Sequence, residues 1–503
     1  MKQAVFFNTL NGHSFLYSPF RNQVLLCHPV ISRLHDLEVS GINLSEFIQT
    51  SKNDGNPVIF ENFQVSHAEL VVHWKKYRFL KQHDFFKVPR QVNLNGRLQP
   101  SRVETDLTRV QQVIFETTEE CNLSCTYCTY SKFYINQERG KKKFSIAAAK
   151  RALDHLMSVR DKASTHLIVS FYGGEPFRNF AFIRDVVAYL KESYGDRQTF
   201  KFNLTTNGLL LSKHTDYLVA NDFDVSVSLD GDETGNSFRI LKGELPTHAI
   251  VLRHLDLLRE RYPDYFERNI SFLAVLHNRN SYQEVVDYFK KRFGKTPITS
   301  MISTTNINEV HKKEFSTTFL SGMRNTFHHK KDMLGLFMEH PTVKELANTL
   351  EKYTGIIFKN HFQIMSRING NEVSRAFVPT ATCLPFSLRV YLTADGSVLP
   401  CEHISRDFKL GNLHNREVHL DSRSIADLFN RNFDKIRSLC ERCYLADNCK
   451  ECVFNTRTDL ENPVCDFFMD EQHFRELLEK MFNLVENDYT LYSKLLKEAF
   501  HAN

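Results

Sequence analysis

Between residues 113 and 303, short apolar runs alternate with longer amphipathic stretches. Val113–Thr118, His166–Tyr172, Phe200–Thr205, Phe223–Leu229, Ile270–Leu276 and Ile298–Ser303 are rich in β-branched and aromatic residues, as strands are. Between them, Ser145–Arg160, Ala181–Tyr194, His248–Arg261 and Tyr282–Phe293 space their apolar residues three and four apart, which predicts helices with one buried face. Ser145 stands where a capping side chain is expected. Strands separated by helix-length segments pair in parallel, so the pattern predicts an α/β core, an open sheet or a partial barrel. Sites on parallel sheets gather at the carboxyl ends of the strands. Three such ends carry turn-forming motifs: Gly173-Gly174-Glu175-Pro176, Thr206-Asn207-Gly208 and Asp230-Gly231.

The flanks read differently. Phe15–Tyr17 and Val24–Leu26, around the turn-rich residues 18–22, predict a hairpin. Helical spacing follows at Val30–Leu37, Ser45–Ile48 and Ala68–Gln82, so residues 1–105 are expected to form a small winged-helix-like domain. Residues 106–305 then form the α/β core, 306–380 a helical bridge, 381–470 a cysteine-dense unit and 471–503 a C-terminal helix. The cysteine-dense unit reads as poor in long periodic segments, as expected where metal replaces an apolar core. Within it, Val390–Leu392 and Val398–Leu399 around Asp395-Gly396 predict a hairpin.

Composition narrows the class. The chain has 503 residues, 42% hydrophobic and 24% charged, which suits a multidomain globular protein and excludes low-complexity or disordered classes. Lys and Arg number 64 against 59 Asp and Glu, so neither nucleic acid nor a membrane is the expected partner. The first 30 residues lack a basic start followed by an unbroken apolar core, and no apolar run approaches the roughly 18 residues of a spanning helix. A cytoplasmic location with reduced thiols is the expectation.

Against that background the 11 cysteines stand out. Cys121, Cys125 and Cys128 share one short loop after a strand; Cys383, Cys401, Cys440, Cys443, Cys449, Cys452 and Cys465 fall together; Cys27 stands alone and reads as a buried apolar residue. A long chain with a full core has no need of a disulfide scaffold, so metal or redox chemistry is expected. Three thiolates in one loop can hold three corners of a four-iron cluster and leave one iron open for chemistry; a structural zinc site is the alternative.

The loop Cys121-x3-Cys125-x2-Cys128, with Tyr127 before the third cysteine, resembles the radical SAM signature. The resemblance implies a partial (β/α)6 TIM-like barrel holding a 4Fe-4S cluster and S-adenosylmethionine. It assigns Gly173, Gly174 and Glu175 to the motif that meets the cofactor's amino group. Asn207, Ser228 and Asp230 resemble its ribose and carboxylate contacts, and Arg239 the arginine that pairs with its carboxylate. The family's His-Asp pair before that arginine is replaced here by Gly235-Asn236-Ser237-Phe238.

The later cysteines resemble the SPASM domain, an iron-sulfur extension with two auxiliary 4Fe-4S clusters. By that resemblance Cys440, Cys443, Cys449 and Cys465 hold the outer cluster, and Cys383, Cys401 and Cys452 the inner one. Only Lys450-Glu451 separates Cys449 from Cys452, where the family usually has three residues, and residues 370–382 contain no cysteine to complete the inner set. Zinc knuckles are the alternative for the CxxC pairs. The whole chain is similar to peptide maturases that cross-link ribosomal precursor peptides and to anaerobic sulfatase-maturating enzymes. The resemblance implies a precursor peptide as substrate and an electron donor such as flavodoxin or ferredoxin; residues 1–105 are either the module that binds the peptide's leader or a plain N-terminal cap on the sheet. Oxidation of a Cys or Ser side chain, or a zinc-site scaffold, are the competing functions.

Overall fold

The computed structural model describes residues 2–487 apart from 22, 54–55, 62, 89–96, 136–139, 162–165, 305, 323–379, 381, 414–417, 447–448, 450, 458–462 and 466. Most of the expected helical bridge therefore lies outside the described residues.

The first unit opens with an antiparallel sheet, β1 (Val5–Asn8), β2 (Ser14–Ser18) and β3 (Gln23–Cys27), in that order. β2 and β3 are the expected hairpin; β1 is an additional strand. Helices Pro29–Val39, Leu44–Asn53 and His67–Gln82 follow, with the small hairpin β4 (Val58–Phe60) and β5 (Phe63–Val65) before the third. That third helix starts at a reciprocal cap between Ser66 and Glu69. Side chains on a strand alternate between faces. Leu16 and Cys27 accordingly pack on the helices with Val30, Ile31 and Leu70. Val5, Phe7, Tyr17 and Val24 face Tyr444 and the Phe474, Leu478 and Phe482 of a distant helix, Glu471–Asn487.

The core sheet holds β6 (Gln112–Thr118), β7 (His166–Gly173), β8 (Thr199–Thr206), β9 (Asp224–Ser228), β10 (Ile270–Leu276) and β11 (Ile298–Met301). Each pairs in parallel with the next. Helices Ile146–Val159, Phe180–Tyr194, Leu211–Ala220, His248–Arg261, Pro263–Asn269 and Tyr282–Phe293 connect them. When chain neighbours are also sheet neighbours, right-handed crossovers put every helix on one side of the sheet, giving the α/β arrangement of a partial barrel. Ser145 does occupy the cap position of the first helix, but its side chain makes no capping bond.

β12 (Arg389–Leu392) lies parallel to β6, from Arg389 opposite Gln112 to Leu392 opposite Phe115. The expected hairpin to β13 (Ser397–Leu399) forms, and β14 (Gly411–Asn412) and β15 (His419–Leu420) extend it antiparallel. One ten-stranded sheet thus joins the barrel to the cysteine-dense unit. The sequence reading of that unit as lacking long periodic segments needs correction. Ser422–Arg442 is a 21-residue helix, capped by Asp421 and burying Ile425, Phe429, Phe433 and Ile436. Among the described residues no helix is long and apolar enough to cross a membrane.

Candidate functional site

The loop of Cys121, Cys125 and Cys128 leaves the carboxyl end of β6 and is zipped to the segment around Arg239. Ser124 N–H donates to the Ile240 carbonyl (2.8 Å) and Thr126 N–H to that of Phe238 (3.0 Å). Burial pushes the Cys125 thiol up to about 12, with Arg239 opposing and the Cys128 and Cys121 thiols adding to the rise. All three cysteines are free of disulfides.

Gly173 and Gly174 bring the end of β7 against this loop. Gly174 N–H donates to the Thr118 carbonyl (2.8 Å) and Glu175 N–H to that of Glu120 (2.9 Å), immediately before Cys121. A Cβ on Gly174 would stand 2.2 Å from the Glu120 oxygen, and Gly173 has φ +124°. Only glycine permits both the approach and the dihedral. The Glu175 carboxylate turns inward. Oε1 accepts from Thr206 Oγ1 (2.8 Å) and Phe177 N (3.2 Å), and Oε2 from Asn207 N (2.9 Å). Asn207 in turn donates Nδ2 to Asn122 Oδ1 (2.7 Å), beside the Cys121 sulfur at 3.8 Å. Glu175 and Asn207 therefore chain the ends of β7 and β8 to the cysteine loop.

Asp230 and Arg239 are brought together with Tyr127. Arg239 donates Nε to Asp230 Oδ2 (2.9 Å) and Nη2 to Oδ1 (3.1 Å), the Tyr127 hydroxyl donates to Oδ2, and Val275 N–H to Oδ1 (2.9 Å). The guanidinium also lies 5.5 Å from the Tyr127 ring centre. Ser228, at the end of β9 opposite Leu273, is half-buried.

The later cysteines fall into two groups. Cys401 neighbours Cys452 and Cys383 closely enough for their charges to act on one another. Cys440 neighbours Cys449, Cys443 and Cys465, and burial followed by those three thiols pushes it up to about 12. Backbone N–H groups of Met469 and Glu451 point at the sulfurs of Cys443 and Cys449, each at 3.4 Å. Among the described residues no three His, Cys, Asp or Glu side chains are gathered around one ion position. An iron-sulfur cluster binds each thiolate at a separate iron. A set of three thiols and a set of four are donors of the right chemistry for such clusters, and N–H groups aimed at sulfur favour the thiolate.

A cavity of about 1070 Å³ opens between the first loop and the later unit. Tyr130, which follows Cys128 by two positions, and Tyr134 line one side; Tyr391 and Glu402, next to Cys401, line the other. Glu402 Oε1 accepts from Arg389 (3.3 Å) while Oε2 is buried without a partner among the described residues. Arg406 ties the two sides, donating to Glu119 (2.7 Å), Glu116 (2.9 Å) and Asp395 (3.1 Å). These lining residues escaped the sequence reading, although Tyr130 and Glu402 lie within two positions of cluster-type cysteines, a signal that could have found them.

Residues 115–291 match the radical SAM superfamily, and residues 383–453 match the iron-sulfur cluster-binding domain called SPASM. The chain is similar to the radical SAM cyclopropyl synthase TigE of Paramaledivibacter caminithermalis, 22% identical over 408 residues, 77% of this chain and 78% of that one. It is similar to the cysteine-type anaerobic sulfatase-maturating enzyme of Clostridium perfringens, 22% identical over 378 residues, 72% of this chain and 93% of that one. A third match, 28% identical over 151 residues, is an uncharacterized protein of Methanocaldococcus jannaschii; it covers 30% of this chain and only about half, 49%, of that one.

Proposed function

We propose that this chain, a radical SAM enzyme with a C-terminal SPASM domain, modifies a precursor peptide by installing a carbon–carbon or thioether cross-link. When bound, the cluster and S-adenosylmethionine supply a 5′-deoxyadenosyl radical that removes a hydrogen atom from the substrate. Cys121, Cys125 and Cys128 hold that cluster and leave one iron for the cofactor. Gly173 and Gly174 keep the floor of its site free of side chains, and Glu175 with Asn207 fixes the distance between that floor and the cysteine loop. Asp230 holds the guanidinium of Arg239 still beneath Tyr127, where it offsets thiolate charge. Cys383, Cys401 and Cys452 hold the inner auxiliary cluster, and Cys440, Cys443, Cys449 and Cys465 the outer.

One observation carries the peptide reading: the cavity of about 1070 Å³ reaches from the loop after Cys128 to the loop after Cys401. That is room for several residues of a chain, with Tyr130, Tyr134 and Tyr391 in its lining. The N-terminal unit supplies a second handle. β3 is the last strand in its sheet among the described residues, and its Leu26 is 62% exposed. An extended leader adding to that edge would gain backbone hydrogen bonds there. A reduced flavodoxin or ferredoxin delivers the electron.

The test is to incubate anaerobically reduced enzyme with S-adenosylmethionine and a peptide encoded beside its gene. Loss of two hydrogens in mass, with a new covalent link found by fragmentation, is the expected result. The same mass loss confined to one Cys or Ser side chain would favour the second reading, a sulfatase-maturase-like oxidation, which the long match to the Clostridium perfringens enzyme supports.

A further inference from the structure

Residues 140–143 lie against the strand end that leads into the first cysteine loop. Lys143 bridges antiparallel to Thr118, three positions before Cys121. Glu119 N–H donates to the Lys142 carbonyl (2.9 Å), and Lys142 N–H donates to Glu119 Oε2 (2.9 Å). The Thr118 hydroxyl donates to the same Lys142 carbonyl (3.0 Å). Phe144 anchors the far end in the barrel core, with its N–H on the Thr117 carbonyl (2.9 Å). At the near end a Cβ on Gly140 would stand 1.8 Å from Glu119 Oε2. Glu119 is itself buried, and its other oxygen is taken by Arg406.

Lys141, Lys142 and Lys143 are all exposed. Arg178, just past the end of β7, joins them: it reaches Glu120 Oε2 at 3.2 Å, and Lys143 reaches the same oxygen at 3.9 Å. Four cations therefore surround one surface carboxylate, and that carboxylate directly precedes Cys121. A short run of exposed lysines is by itself a solvated surface. This one differs in having its backbone pinned to residues 117–119, so the charged patch and the approach to Cys121 form one body. Among the described residues the three lysines take no part in lining the large cavity, which leaves their face open to a separate partner. We propose that Lys141, Lys142 and Lys143 are the docking surface for an acidic flavodoxin-type electron donor, which reduces the cluster at Cys121, Cys125 and Cys128 directly rather than through the later cysteines. The inference rests on reading those three cysteines as cluster ligands. One electron leaves the anionic flavin hydroquinone, which becomes the neutral semiquinone, and enters the cluster; no proton moves and no bond of the enzyme is made or broken. A basic patch steers an acidic protein to the place where the electron has least distance to cross.

The experiment drives the whole reconstituted chain, with S-adenosylmethionine and the peptide encoded beside its gene, by two reductants at low ionic strength. One is a bacterial flavodoxin in its hydroquinone form, kept below saturation. The other is reduced methyl viologen, a small cation that needs no docking surface. The readout is the rate of 5′-deoxyadenosine formation. Replacing all three residues, Lys141→Gln, Lys142→Gln and Lys143→Gln, should cut the flavodoxin-driven rate about tenfold and flatten its dependence on salt. The viologen-driven rate should stay at the parental level. The triple variant Lys141→Arg, Lys142→Arg and Lys143→Arg keeps the charge and should follow the parent with both reductants. An unmoved flavodoxin-driven rate in the glutamine variant overturns the inference, as does an equal fall with both reductants or in both variants. A raised KM for the peptide under viologen would assign the patch to the substrate and overturns it too. A parent driven by viologen but not by flavodoxin overturns the inference and leaves the cluster reading standing. A parent that forms no 5′-deoxyadenosine with either reductant takes down the cluster reading, and the inference with it.

Discussion

Arg239 grips Asp230 through two parallel hydrogen bonds, and the carboxylate it holds has no exposure to solvent. The sequence resemblance casts both side chains as cofactor contacts. In the fold they are first of all each other's partner, with Tyr127 as a third member. Breaking a buried pair leaves an uncompensated charge. Asp230→Ala should therefore cost about 3–5 kcal/mol, read as a fall in the denaturation midpoint of the chain. Arg239→Lys, which keeps the charge but loses the planar fork, should fall between that variant and the parent.

Glu175 gives a pH signature. Burial pushes its carboxyl up to about 7, against the hydrogen bonds from Asn207, Thr206 and Phe177. An unfolded glutamate titrates near 4.3. Between those values the folded chain binds more protons than the unfolded one, so stability is full below the lower value and is lost as pH rises through the upper. The loss expected from this group is about 4 kcal/mol. Comparing denaturation midpoints of the parent and Glu175→Gln across that window should show a downward slope in the parent that the variant lacks.

The glycine floor predicts a sharper loss. Gly174→Ala drives a methyl to 2.2 Å from the Glu120 carbonyl, a backbone atom that cannot swing aside. Binding of S-adenosylmethionine to the reconstituted variant, followed by calorimetry, should disappear while iron at the later cysteines is retained. Binding at parental strength would mean that this turn shifts freely and does not form the floor.

Arg406 holds three carboxylates from two parts of the chain, and Glu116 and Glu119 among them are buried. Arg406→Gln should destabilise the chain by about 1–3 kcal/mol, the smaller range because the arginine is itself partly exposed. Proteolysis should then cut more readily in the loops that follow β6 and β13.

The local pattern made some of this fold legible. The runs at Val113, His166, Phe200, Phe223, Ile270 and Ile298 became parallel strands because each is short and apolar and helix-length stretches separate one from the next. Ser422–Arg442 was hidden because the surrounding cysteines drew the reading toward metal, although Ile425, Phe429, Phe433 and Ile436 keep helical spacing. β1 was missed because four residues carry too little pattern. The ion pairs that join the two sides of the cavity could not be read. Arg406 meets Glu116 across 290 positions, and no local rule links residues that far apart.

The pairing of β12 with β6 has a bearing on how the protein can be cut. A fragment ending before Cys383 would bare the outer rim of β6, a run that includes Val113, Ile114 and Phe115. Unpaired rims of that kind recruit strands from other molecules. The barrel portion on its own is thus a candidate for clumping, and any attempt to express it separately should begin with a plan to shield that border.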